Sequence, residues 1–123
     1  MRKLAIDDKR NYTDVNLVAR DFEHGIKALD LMGPWDLLFL DHDLGGEKTG
    51  YDILTFINFL SNDEHPVSKP TKIKLVTSNP VGRENMEFAL KSMGYVLNIR
   101  EQVWVLVNVE PEIREDYDKS GIF

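Results

Sequence analysis

The chemistry available to this chain sits in a few short polar clusters. Asp7-Asp8 follows the apolar run Leu4-Ala5-Ile6, and Asp41-His42-Asp43 follows Leu37-Leu38-Phe39-Leu40. Thr77-Ser78-Asn79 follows a third apolar run, Ile73 to Val76. Four carboxylates brought to one place repel each other unless a cation sits among them. Oxygen donors of this kind select a hard ion such as Mg²⁺ or Mn²⁺, which keeps several waters and shares itself with a phosphate. Asn79 followed by Pro80 reads as the start of a helix, whose N–H groups suit an anion. Arg10 and Arg83 supply positive charge for the same phosphate.

Each of these residues also has a plainer role open to it. An aspartate at a strand end is often a turn former, and Thr77 and Ser78 can simply lead into a helix. His42 lies between two acids, but successive strand residues face opposite ways. It is either a general acid or base or a side chain pointing away. Glu23 and His24 fall on the solvated side of a helix, His65 sits in a proline-flanked loop, and Trp35 and Trp104 read as core.

The elements that must position these clusters alternate along the chain. Val15 to Ala19 reads as a second strand. Asp21 caps a helix whose apolar face is Phe22, Ile26 and Leu29, and Gly33-Pro34 ends it. The continuous run Leu37 to Leu40 reads as a strand buried on both faces. A glycine-rich loop, Leu44 to Gly50, leads to a helix carrying Ile53, Leu54, Ile57 and Leu60. The segment Ser61 to Thr71, with Pro66 and Pro70, is a loop. Asn79 opens the next helix, with Met86, Ala89, Leu90 and Met93 buried and Gly94 at its end. Tyr95 to Ile99 and Val103 to Val107 both read as strands, one the fifth strand of the sheet and the other its hairpin partner at the edge. Alternating strands and helices make an α/β fold with a mainly parallel sheet, in which ligands sit beyond the carboxyl ends of the strands. Between the first two strands, Lys9 to Asp14 is too short for a crossover helix. Either a loop makes that crossing or the two strands pair differently.

Composition narrows the function classes. The chain has 123 residues, 42% hydrophobic and 29% charged, which is one folded domain with a real core. It has no cysteine, which removes disulfides, thiolate nucleophiles and thiolate metal sites. A net charge of −6 argues against a nucleic-acid surface, other than a nucleic acid that carries a terminal phosphate. No apolar run approaches a membrane span, and Met1-Arg2-Lys3 with three apolar residues is no signal peptide. The expectation is a cytoplasmic protein with a domain over residues 1–109 and an acidic tail over 110–123.

An acidic pair after the first strand, an aspartate ending the third and Thr or Ser after the fourth resemble the receiver domains of two-component signalling. More specifically, Asp7-Asp8-Lys9-Arg10, Leu40-Asp41-His42-Asp43-Leu44-Gly45, Thr49-Gly50-Tyr51-Asp52 and Asn79-Pro80-Val81-Gly82-Arg83-Glu84-Asn85-Met86 resemble the cyclic-phosphate-processing receiver domains. The likeness runs to about Tyr95. It implies a flavodoxin-type three-layer sandwich with a five-stranded sheet in the order 2-1-3-4-5 and a missing or degenerate first crossover helix. It further implies that Asp7, Asp8 and Asp41 hold Mg²⁺ or Mn²⁺ and that Thr77 takes the receiver hydroxyl position.

On this basis Asp41, His42, Asp43 and Thr77 are the reacting groups, and Arg10, Ser78, Asn79 and Arg83 hold the phosphate. The activity implied is metal-dependent processing of a small cyclic or terminal phosphate. The alternatives are a receiver whose Asp41 accepts a phosphoryl group from a partner kinase, and an inactive pseudo-receiver that binds a partner protein. Two departures bear on these readings. Receivers place a lysine after the fifth strand, whereas no lysine lies between Lys91 and Lys119. The group often shows a histidine just before its hydroxyl residue, where this chain has Val76.

Overall fold

The computed structural model describes residues 1–60 and 69–107. Its elements are β1 (Lys3–Ile6), β2 (Leu17–Ala19), α1 (Phe22–Leu31), β3 (Leu37–Leu40), α2 (Gly50–Leu60), β4 (Lys72–Leu75), α3 (Pro80–Ser92), β5 (Tyr95–Asn98) and β6 (Val103–Leu106). The expected loop around His65 and the acidic tail over 110–123 lie outside the described residues.

The sheet has six strands in the order β2-β1-β3-β4-β6-β5. The β2, β1, β3 and β4 neighbours are all parallel, so the first four places follow the expected order. A loop, not a helix, makes the first crossing. Asp7 forms an Asx-type turn, its Oδ1 accepting from Lys9 N at 2.9 Å and Arg10 N at 3.1 Å. Asn16 then ties the loop back: Asn16 N donates to Lys3 O at 2.9 Å, and Lys3 N donates to Asn16 Oδ1 at 2.8 Å.

At the other edge the last two strands form a hairpin, and β6 is the inner one, antiparallel to β4. The turn between them is too short for a parallel crossover. It is held by Asn98, whose Oδ1 accepts from Glu101 N at 3.1 Å, and it closes on Gln102 at φ 55°. Trp104 of β6 is buried opposite Ile73 of β4 and Leu106 N donates to Thr71 O at 2.9 Å, while β5 at the edge buries Tyr95 and exposes Val96.

The helices lie side by side, α1 against α2 and α2 against α3, on one face of the sheet. That face presents Leu4, Ile6, Leu38, Leu40, Ile73 and Leu75, all buried under Leu29, Ile53, Ile57, Met86 and Leu90. Each such side chain contributes roughly 1.5–3 kcal/mol on burial. On the opposite face, the place of a third layer is taken in part by the β1–β2 loop, whose Tyr12 ring packs 5.4 Å from Phe39. Trp35 is core, as its composition predicts, and its Nε1 donates to Ala28 O at 2.9 Å.

Two helix starts are defined by local chemistry. Asn79 caps α3, its Oδ1 accepting from Gly82 N at 3.0 Å, with Pro80 in the first turn. Thr49 and Asp52 form a capping box for α2: Thr49 N donates to Asp52 Oδ2 at 2.7 Å and Tyr51 N donates to Thr49 Oγ1 at 3.2 Å. Gly50 is then required sterically. A Cβ there would lie 2.1 Å from the Asp41 carbonyl oxygen and 2.8 Å from the Met86 methyl.

Candidate functional site

The carboxyl ends of β1, β3 and β4 stay in register past the strands themselves. Asp7 N donates to Ala19 O, Asp41 N to Ile6 O and Val76 N to Leu40 O, each at 3.0 Å. This ladder sets the Asp7-Asp8 pair, Asp41 and Thr77 at one edge of the sheet. Asp7, Asp8 and Asp41 each offer a carboxylate oxygen there, all within 4.8 Å of one another. Asp7 and Asp41 are buried and Asp8 half-buried. Asp8 and Asp41 line a cleft of about 310 Å³ whose walls also include Lys9, Arg10, Asp43 and Ser78, whereas Asp7 is fully buried.

The two buried acids are held differently. Burial alone would raise the Asp7 pKa. Hydrogen bonds from Lys9 N, the Tyr12 hydroxyl, Arg10 N and the Arg10 guanidinium outweigh it and bring the pKa down to about 2. Tyr12 donates to Asp7 Oδ2 at 2.7 Å, and burial together with that bond pushes the phenol's own pKa up. Asp41 moves the other way. Burial and the Asp7 charge raise its pKa, against the donors His42 N, Arg10 and the Thr77 hydroxyl. Arg10 spans the pair, its Nη1 lying 3.1 Å from Asp7 Oδ2 and 3.2 Å from Asp41 Oδ2.

Three carboxylates at this spacing are a hard-oxygen donor set, which suits Mg²⁺ or Mn²⁺ and could hold either. Thr77 is buried beside it, bonded to Asp41 and accepting from Asn79 N at 3.0 Å. Acids, Arg10, Thr77, Asp43 and Ser78 are thus brought together.

The remaining expected residues stand at the margin, each with a structural partner. The His42 ring is turned toward α3, so close to Gly82 that a Cβ there would lie 2.5 Å from it. Its Nδ1 lies 3.1 Å from Asp43 Oδ1. Asn79 spends its side-chain oxygen on the α3 cap. Arg83 reaches back to the end of β4, where Nη2 donates to Thr77 O at 3.0 Å and to Leu75 O at 3.3 Å.

Three residues that meet the acidic cluster are not singled out by the sequence. Tyr12 and Lys9 belong to the Asp7 turn, and Arg20 braces it, its Nη1 donating to Arg10 O at 2.7 Å and Asp7 O at 3.1 Å. Their signal is weak: a tyrosine and two cations in a polar stretch. A second cleft of about 390 Å³, between α3 and the hairpin, is lined by Glu87, Lys91, Tyr95 and Trp104 among others and includes none of Asp7, Asp8 and Asp41.

A mainly parallel α/β sheet with paired acids after β1, an aspartate after β3 and a buried hydroxyl after β4 defines a receiver-like domain of flavodoxin type. The family model of the cyclic-phosphate processing receiver domain matches residues 2–92, well over half the chain, and the chain belongs to that family. No curated protein and no solved structure matches it. Among the described residues no helix is long and apolar enough to cross a membrane.

Proposed function

We propose that this domain hydrolyses a small cyclic or terminal phosphate in the acidic cleft, with a divalent cation held by Asp7, Asp8 and Asp41. The observation that carries this reading is the meeting of those three carboxylates within 4.8 Å, two of them, Asp8 and Asp41, on a cleft walled by Lys9, Arg10 and Ser78. A phosphate-binding site needs positive charge and a hydroxyl donor beside the metal ligands, and this wall supplies both. When bound, Mg²⁺ or Mn²⁺ supplies Lewis-acid polarisation and a more acidic water.

The chain's own groups do the rest. Lys9 and Arg10 neutralise charge that builds on the phosphoryl oxygens. Asp43, exposed on the cleft wall, takes the proton of the attacking water, and His42, 3.1 Å from it, orients that carboxylate. One P–O bond forms to the water oxygen, one P–O bond of the ring breaks, and the proton passes to the leaving alkoxide. A phosphomonoester remains. Arg83 acts from behind, holding the Thr77 and Leu75 carbonyls and so the β4 end that carries Thr77 and Ser78.

The test is phosphorus NMR of a panel of cyclic phosphates, nucleoside 2′,3′-cyclic phosphates included, with and without Mg²⁺. Conversion of at least one to a monoester, dependent on Mg²⁺ and abolished in Asp41→Asn, is the expected result. Every ring staying closed at stoichiometric protein, with terminal phosphates tested alongside also left intact, would overturn the proposal.

A further inference from the structure

We infer that Arg10 is a built-in counter-ion that a divalent cation must displace, and that its release couples cation binding to phosphate binding. The inference deepens the function proposed above and rests on it. Its basis is a shared pair of carboxylates. Arg10 Nη1 lies against Asp7 Oδ2 and Asp41 Oδ2, at 3.1 Å and 3.2 Å, and the same two residues supply two of the three clustered carboxylates. A cation coordinated by Asp7 and Asp41 and a guanidinium bonded to both compete for the same lone pairs and the same space.

The surroundings allow the exchange. The Arg10 side chain is 41% exposed and forms part of the cleft wall, so the guanidinium can turn outward without crossing the core. Its backbone is fixed independently, by Arg10 N on Asp7 Oδ1 and by Arg20 on Arg10 O. Asp7 keeps the Tyr12 hydroxyl and Lys9 N when the guanidinium leaves. The pivot therefore stays in place while the charged tip moves.

The energetic consequence has a sign. Without phosphate, the incoming cation forces Arg10 from two carboxylates into water, which weakens cation binding. With phosphate in the cleft, the displaced guanidinium gains a charge-assisted and geometrically matched acceptor. Each ligand then strengthens the other through one side chain, and the coupling is reciprocal by linkage. A residue that merely propped up Asp7 would act in the opposite sense, since its loss would weaken the cation site.

Calorimetric titration with Mg²⁺ alone, and again in saturating inorganic phosphate, tests this on wild type, Arg10→Ala and Lys9→Ala. Arg10→Ala is expected to bind Mg²⁺ alone about fivefold more tightly than wild type, at the low end of typical coupling, and to lose most of the gain from phosphate. Lys9→Ala removes the same charge from the same wall and should shift the Mg²⁺ affinity less. In wild type, NMR of the Arg10 Nε–H should show its resonance move on adding Mg²⁺, a readout that needs no variant to fold. Weaker or unchanged Mg²⁺ binding in Arg10→Ala, an equal shift in Lys9→Ala, or a static Arg10 resonance while Mg²⁺ binds would overturn the inference alone. No Mg²⁺ binding by any of the three proteins would overturn it together with the metal-dependent function on which it rests.

Discussion

Asp7 and Asp41 face one another across Arg10, yet their protonation equilibria are pushed in opposite directions. The difference lies in the balance of donors against burial and like charge. Asp7 collects two backbone N–H groups, a phenol and a guanidinium, whereas burial and the charge of Asp7 dominate at Asp41. For Asp7 the folded pKa lies below the unfolded one. Its ionised form therefore stabilises the fold above the unfolded value near 3.8, and that contribution is lost as pH falls toward about 2. The expected outcome is that Asp7→Asn is less stable than wild type at neutral pH but loses less stability between those two values. Denaturant unfolding at a series of pH values checks it. Parallel stability curves for the two proteins would remove Asp7 from the acid response.

At the scale of elements, the close seat of α2 on the end of β3 positions Asp41 from behind. Gly50 N donates to His42 O at 2.8 Å, and the absent Cβ leaves room for the Asp41 carbonyl. Gly50→Ala should destabilise the fold by about 1–3 kcal/mol, the usual range for overpacking, and weaken Mg²⁺ binding by displacing Asp41. Gly46→Ala is the control, because a Cβ there meets nothing within 4 Å. Thermal melts of the pair decide the point, and equal melting temperatures would contradict the steric account.

These elements were unequally legible in the sequence. The acids at strand ends were readable because apolar runs stop abruptly at them, and parallel topology then places neighbouring ends together. The hairpin order was not, since Tyr95–Asn98 and Val103–Leu106 are equally strand-like and each buries one aromatic, Tyr95 and Trp104; the pairing of β6 with β4 settles it. The side-by-side helices follow from a first crossing made by a loop, which leaves one sheet face to Tyr12 and its neighbours. Lys9 and Tyr12 join the site through the Asx turn at Asp7, whose geometry and not any periodicity aims them, and Arg20 reaches it from the end of β2. His42 and Arg83 were visible as chemistry, but the direction of a side chain is set by what packs against it, here Gly82 and the β4 carbonyls.

For the whole molecule, family membership and the acidic edge leave the choice between hydrolysis and phosphoryl relay to the remaining charges. The receiver domains this chain resembles place a lysine beyond the last sheet strand to contact a phosphoryl group on the aspartate. Here the hairpin turn over residues 99–102 carries no lysine, and Arg100 is a loose substitute for it. The positive charge of the cleft comes from Lys9 and Arg10, on the opposite side of the site from that hairpin in strand order. Acetyl phosphate with Mg²⁺ should therefore leave no lasting phosphoryl adduct. Intact-mass measurement checks this, and a persistent adduct absent from Asp41→Asn would restore the relay.

All of these expectations depend on one claim, that the edge formed by β1, β3 and β4 is a divalent-cation and phosphate site. A crystal grown with Mn²⁺ and inorganic phosphate tests it directly, because anomalous scattering locates the metal without reference to activity. The account predicts a single strong peak among the carboxylates of Asp7, Asp8 and Asp41, with phosphate beside it against Ser78 and an Arg10 guanidinium withdrawn from Asp41. An acidic edge free of anomalous signal at saturating Mn²⁺, with Arg10 still bridging Asp7 and Asp41, would contradict it.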